Sequence, residues 1–246
     1  MKSVRWQFLL VLVLIVLSVL LYLVHYAIFE DTHHIYIFLI GDIAFVPIEV
    51  LLVTLIIHRL LRENEKRQRL EKLKVVIGTF FSGVGTKLLT YFSDLDPELE
   101  SIRNSLVVTN DWSESDFATV AKRLKEYEYK ISIDKVDLAQ LRSFLVEKKD
   151  LLLRILENPT LLEHERFTNL LQAIFHLSEE LESREDIDNL PQSDLDHLAN
   201  DIKRAYVQLV REWLDYVKYL KATYPYLFSL AIRLNPFDLG ASPLVR

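Results

Sequence analysis

Residues 7–29 read QFLLVLVLIVLSVLLYLVHYAIF, and residues 36–61 read YIFLIGDIAFVPIEVLLVTLIIHRLL. Each run is longer than the ~20 apolar residues a helix needs to cross a ~30 Å hydrocarbon layer. Only Glu30 to Ile35 separate them, so the pair predicts a helical hairpin that enters a membrane, turns and returns. The first run exceeds the apolar core of a secretory signal, and no small-residue cleavage pair follows it, which predicts a retained anchor.

Outside the hairpin the sequence turns charged. Five glycines and seven prolines in 246 residues disfavour a turn-rich β domain. About 185 residues remain, enough for one helical domain with its own core. The expected fold is all-α: a transmembrane hairpin over residues 1–61, a basic juxtamembrane helix over 62–92, and an acidic cytoplasmic multi-helix bundle over 93–246 with an aromatic C-terminal segment. Cysteine is absent, which excludes disulfides, thiolate metal sites, iron–sulfur clusters and cysteine nucleophiles.

Orientation follows from the basic residues. Lys2 and Arg5 precede the first run; Arg59, Arg62, Lys66, Arg67, Arg69, Lys72 and Lys74 follow the second; the turn carries Glu30, Asp31, His33 and His34 and no Lys or Arg. Both termini are expected in the cytoplasm, with the short acidic turn outside. Arg59, Arg62, Lys66, Arg67 and Arg69 are candidates for contact with anionic lipid, at about 1 kcal/mol per basic residue near the surface. Residues 1–74 hold 9 Lys/Arg against 7 Asp/Glu, a net of +2, and residues 75–246 hold 20 against 28, a net of −8. An acidic soluble part argues against nucleic acid as partner and leaves lipid, a second copy of the chain or another protein.

Beyond the hairpin the pattern reads as successive helices. One is expected from His58 to Phe92, a short one from Asp96 to Val108, and one from Ser113 to Lys130 behind the capping-box start Ser113-Glu-Ser-Asp116. Ile131 to Ile133 is a brief extended candidate. Asp134 is expected to cap a helix reaching Glu157, which Asn158-Pro159 breaks. Apolar residues at Leu161, Phe167, Leu170, Leu171, Ile174 and Leu177 predict a helix from Thr160 to Ser183. Ser193 is expected to cap the next, running to about Tyr224, and Pro225 restarts a short aromatic helix to Leu234. Lys74 to Phe92 is apolar enough to suggest either a buried or interfacial helix or a third membrane segment; Gly78, Ser82 and Gly85 form a small-residue stripe there.

Two groups of polar residues carry possible chemistry. Asp42 and Glu49 lie seven apart in the second run, on one face, with Pro47 between them predicting a kink. Ionisable groups at such depth face protein or water. Ser18, Tyr22 and His25 form a polar stripe on the first helix. A rise of about 1.5 Å per residue places Asp42 level with His25 and Tyr22, and Glu49 level with Ser18. This set is either a staple for hairpin register or, in an oligomer, an ion or proton path.

The second group is His176 with Glu180, and His197 with Asp201, each four apart on its helix, with Asp194 three before His197. Histidine and carboxylate at that spacing on facing helices can build a metal site within a bundle. The pairing resembles di-iron bundles but lacks their repeated Glu-x-x-His. The bland alternative is a solvated acidic face, since residues 178–201 hold nine acids against one arginine. Nothing in the chain demands a cofactor; Fe or Zn would suit these four ligands better than Ca. His164-Glu-Arg-Phe-Thr168 begins like a zincin helix, but Thr168 stands where a second histidine is needed. No glycine-rich phosphate loop and no nucleophile elbow is present.

Three segments taken together, Gly41-Asp-Ile-Ala-Phe-Val-Pro47 running into Leu51–Leu61, Phe80-Phe-Ser-Gly-Val-Gly85, and Tyr224–Arg233 with Asn235-Pro-Phe237, resemble a group of uncharacterised prokaryotic membrane proteins. These have two N-terminal transmembrane helices and a helical cytoplasmic domain. The resemblance spans most of the chain and implies architecture and an inner membrane, with no activity to carry over. The expected role is a non-catalytic membrane-anchored binding, scaffolding or signal-relay protein. The alternatives are an oligomeric channel or transporter component using Asp42 and Glu49, and a metal-dependent membrane enzyme using His176, Glu180, His197 and Asp201.

Overall fold

The computed structural model describes residues 2–159, 161 and 164–244, without the side chains of residues 2–5, 7, 8, 66, 67, 69 and 70. The described residues are helical and contain no strand, so the all-α expectation holds. The chain divides into two compact units, Met1–Lys66 and Arg67–Arg246, and the boundary falls within one helix.

The first unit comprises α1 (Lys2–Phe29) and the N-terminal part of α2 (Thr32–Phe80). The turn between them is shorter than expected. Asp31 Oδ1 accepts the backbone N–H of His33 at 2.9 Å and of His34 at 3.2 Å, capping α2 four residues before the predicted start. Glu30, at φ 50°, takes the left-handed conformation that ends α1, and its N–H bonds the Tyr26 carbonyl at 2.8 Å. α2 stays helical through Pro47. Leu9–Phe29 and Thr32–Glu65 are long and apolar enough to cross a membrane, and neither buries any of its most apolar stretch within the protein. Arg59 and Arg62 are exposed; Arg59 pairs with Glu63 at 3.0 Å and Arg62 donates to the His58 carbonyl. The side chains of Lys66, Arg67 and Arg69 lie outside the described residues.

The second unit is a bundle with a continuous core. The end of α2 passes through a π-helical turn (Phe81–Gly85) into α3 (Thr86–Asp94). Leu73, Ile77, Phe80, Phe81, Val84, Leu88, Leu89 and Phe92 from this stretch are buried in the core. The apolar face of 74–92 is therefore covered by protein, which is why its composition rivals that of a membrane segment. Gly85 sits beneath the Phe80 and Phe81 rings: a Cβ there would meet Phe80 Cε1 at 2.5 Å and Phe81 Cδ1 at 2.8 Å.

α4 (Glu100–Arg103) is a single turn, continued by a 3₁₀ turn to Leu106. α5 (Glu114–Glu126) starts with the predicted box: Ser113 Oγ accepts from the Asp116 N–H, and Asp116 Oδ2 accepts from the Ser113 N–H at 2.6 Å. Ile131–Ile133 is not a strand; residues 133–135 form a 3₁₀ turn. The cap of α6 (Leu138–Leu156) is Asp137, accepting the Gln140 N–H at 2.8 Å, rather than Asp134.

α7 (Glu165–Glu182) begins later than predicted, with His164 Nδ1 accepting the Phe167 N–H at 3.1 Å; Thr160 lies outside the described residues. Burial holds the His164 imidazole below its ordinary pKa, which keeps that acceptor free. α8 (Gln192–Thr223) starts behind Pro191 with no side-chain cap, so Ser193 is inside the helix. α9 (Pro225–Arg233) has Pro225 in its first turn. The long α8 is the spine against which α3, α5, α7 and α9 pack, while α6 packs on α7. The aromatic C-terminus docks by one side: Phe228 and Phe237 are buried, and Asn235 Nδ2 donates to the Leu106 carbonyl at 2.9 Å. Tyr226, Leu227 and Leu230 stay exposed.

Candidate functional site

α7 and α8 run antiparallel, joined by the acidic loop 183–191. Facing polar side chains mark the register from end to end: Arg166 pairs with Asp215 at 2.5 Å, His176 Nε2 lies 3.5 Å from Asp201, and Arg184 pairs with Asp194 at 2.6 Å. The register is set by apolar faces, Ala173, Ile174, Leu177 and Leu181 of α7 against the core side of α8 at Leu198, Ile202, Ala205 and Leu209. His176 and His197 ride at the edge of that seam, both partly exposed.

This register brings the two predicted pairs into one cluster. His176 Nε2 lies 3.7 Å from Glu180 Oε1 and 3.5 Å from Asp201 Oδ2. His197 Nε2 lies 3.6 Å from Glu180 Oε2 and 3.3 Å from the same Asp201 Oδ2. The ligand atoms of His176, Glu180 and His197 all lie within 4.8 Å of one another. Asp201 is 1% exposed, and neither of its carboxylate oxygens has a hydrogen bond among the described residues. Its Oδ1 faces the Arg204 guanidinium at 3.1 Å while Oδ2 faces the two imidazoles.

Two arginines complete the surroundings. Arg184 grips Asp194 with two bonds of 2.6 Å and reaches Glu180 Oε2 at 2.9 Å. It therefore holds both carboxyls below their ordinary range, and they in turn raise the Arg184 pKa. The surface is thus less solvated than its composition suggests: Glu182 is also committed, to Lys149 at 2.8 Å and Ser178 at 3.0 Å. Sequence reasoning counted Arg184 as a lone cation among nine acids and passed over Arg204. The first was readable from its spacing four after Glu180; the second, three after Asp201, was readable the same way.

The hairpin residues gather less closely. Ser18, Tyr22, His25 and Asp42 line one cleft of about 570 Å³ with His34 and Phe38. The His25 and His34 rings stack 6.1 Å apart. Glu49 does not line it. Among the described residues neither Asp42 nor Glu49 makes a hydrogen bond or ion pair, and both are exposed.

Comparison with known proteins adds family and no activity. Residues 1–61 match the N-terminal helical domain described for MJ1433, and residues 69–233 match the C-terminal helical domain of the same uncharacterized protein. The uncharacterized protein MJ1433 of Methanocaldococcus jannaschii is 47% identical over 238 residues, which cover 97% of this chain and 96% of that protein. No solved structure matches the chain.

Proposed function

The chain belongs to the MJ1433 family of helical proteins, and from that premise we propose that it is a membrane-anchored, non-catalytic binding or relay protein. Its hairpin crosses a prokaryotic cytoplasmic membrane twice and its bundle lies on the cytoplasmic side. One observation carries the reading: nothing in the most apolar stretches of Leu9–Phe29 and Thr32–Glu65 is buried within the protein. Exposed leucine, isoleucine, valine and phenylalanine side chains make up most of the surface of both stretches. Water-soluble proteins do not present continuous apolar surface of that extent. Lipid satisfies it, and a helix satisfies its own backbone there. The basic residues flanking the hairpin, against none in the turn, support the orientation. The bundle needs no help from lipid, because it closes its own core.

The absence of cysteine makes the test clean. In intact cells, His33→Cys in the exposed first turn of α2 is labelled by a membrane-impermeant maleimide, whereas Ser101→Cys in the exposed part of α4 is labelled only after lysis. Labelling of Ser101→Cys in intact cells, or release of the protein by carbonate washing, overturns the topology.

A second reading rests on the polar cleft at Ser18, Tyr22, His25 and Asp42. Two crossings cannot enclose a pore, so hairpins that bury this face against one another would form an oligomer. A defined oligomeric mass in nanodiscs, lost in Asp42→Asn/Glu49→Gln, supports it; a monomer removes it.

A further inference from the structure

We propose that His176, Glu180, His197 and Asp201 form a four-coordinate Zn²⁺ site that fastens α7 to α8. The proposal goes beyond membrane anchoring and does not depend on it.

The spacing of the ligand atoms is the first argument. The four cross-contacts measure 3.3, 3.5, 3.6 and 3.7 Å. These exceed the usual reach of a hydrogen bond to nitrogen, so the imidazoles and carboxylates do not satisfy one another directly. Ligands held about 2.0–2.2 Å from a tetrahedral ion stand about 3.3–3.6 Å apart. Neighbouring ligands of a six-coordinate ion at about 2.1 Å would stand about 3.0 Å apart. Taken through one oxygen per carboxylate, His176 Nε2 to Glu180 Oε1, His176 Nε2 to Asp201 Oδ2 and His197 Nε2 to Asp201 Oδ2 are close to a tetrahedron's edges.

Asp201 supplies the second, independent argument. Asp201 is 1% exposed, with Oδ1 ion-paired to Arg204 at 3.1 Å and Oδ2 without a hydrogen bond, and a buried carboxylate oxygen left so is costly. Its Oδ2 is aimed at the point that both imidazole nitrogens also face. A divalent cation there gives that oxygen a partner and removes the cost.

The surroundings fit as well. Two nitrogen and two oxygen donors suit zinc, whereas calcium takes oxygen alone. Arg204 on Asp201 Oδ1, the oxygen turned away from the imidazoles, orients that carboxylate as outer partners of metal ligands do, and Arg184 on Glu180 Oε2 leaves Oε1 for the ion. The partial exposure of both histidines opens the site to solvent. Four protein ligands complete a tetrahedron and leave no position for substrate, so the site is structural or sensing and is consistent with a protein that does not catalyse.

The test uses the full chain in detergent, stripped with a chelator and titrated with ZnCl₂ by calorimetry. Cobalt(II) follows as a spectroscopic substitute. The expected result is one Zn²⁺ per chain, the intense visible absorption of four-coordinate Co²⁺, and a rise in melting temperature on adding Zn²⁺. His176→Ala/His197→Ala should weaken binding about 100-fold or more. Should that pair fail to fold, the isosteric Asp201→Asn replaces it, with the same loss of affinity and a zinc-free melting temperature no lower than that of the parent. Several results would overturn the proposal: no saturable zinc binding, stoichiometric binding that survives in the variants, or the weak bands of six-coordinate Co²⁺. A fall in the zinc-free stability of Asp201→Asn with binding unchanged would equally overturn it, reducing the cluster to an ion-pair network.

Discussion

Replacing Glu212 with glutamine should make the protein more stable above neutral pH, although it removes a charge facing an arginine. Glu212 lies on α8, 3% exposed, with Oε1 lacking any hydrogen bond. The nearest cation, Arg166, is 3.4 Å away and is already committed to Asp215 at 2.5 Å. Burial raises the Glu212 carboxyl from 4.5 to about 7, against a smaller lowering by Arg166. The folded chain therefore keeps this proton over a range in which the unfolded chain has lost it. Folding binds more protons between pH 4.5 and 7, so stability falls as pH rises through that window. A gap of roughly 2.5 pH units at 1.36 kcal/mol each amounts to about 3 kcal/mol, fully expressed above pH 7. Glutamine carries no such penalty. Glu212→Gln should melt about 6–12 °C above the parent at pH 8 and within about 2 °C of it at pH 4, where both side chains are neutral. The assay is thermal unfolding of the full chain in detergent from pH 4 to 8.5, followed by near-ultraviolet dichroism, to which the buried Trp213 contributes. A variant less stable than the parent at pH 8 would refute the reasoning, since it would mean that Glu212 is a charged partner of Arg166.

Three further predictions follow from packing and charge. Gly85→Ala should cost about 1–3 kcal/mol, because its Cβ would collide with two buried phenylalanine rings, whereas Gly83→Ala meets one mobile Leu151 methyl and should cost less; parallel denaturation of the two variants checks the order. Asn235→Ala should cost about 1–3 kcal/mol by leaving the buried Leu106 carbonyl and Phe237 N–H unpaired, and should free the C-terminal segment to proteolysis. Arg184→Ala should flatten the acid limb of the stability curve: Glu180 and Asp194, held low by Arg184, stabilise the fold above the ordinary carboxylate range, and that contribution is lost as pH falls through their lowered values. A melting curve against pH that keeps the parent slope would show that Arg184 does not set their titration.

Much of the candidate site was legible because helical spacing is local. His176 and Glu180, like His197 and Asp201, share a face at four-residue separation whatever the helices pack against. Capping was harder to read, because several residues compete for each helix start. Asp31 and Asp137 took roles assigned to the loop before Tyr36 and to Asp134. His164, which looked like the head of a zinc motif, accepts a backbone N–H instead. Ser193 was read as a cap and falls inside a helix that starts behind Pro191. Each choice depends on which N–H groups the surrounding packing leaves open.

Composition and periodicity alone determined that this chain is all-α, that it carries two long and predominantly apolar helical runs, and that residues 75–246 are acidic. These properties follow from side chains acting singly or within one helical turn. Tertiary structure decided the rest. The stretch 74–92 is nearly as apolar as a membrane span, and only the neighbours covering Phe80, Leu88 and Phe92 make it core. The meeting of His176 and Glu180 with His197 and Asp201 depends on the antiparallel register of α7 on α8. That register is set by the interlocking of apolar faces, which no local spacing specifies, because a shift of one turn would preserve each pair and separate the two.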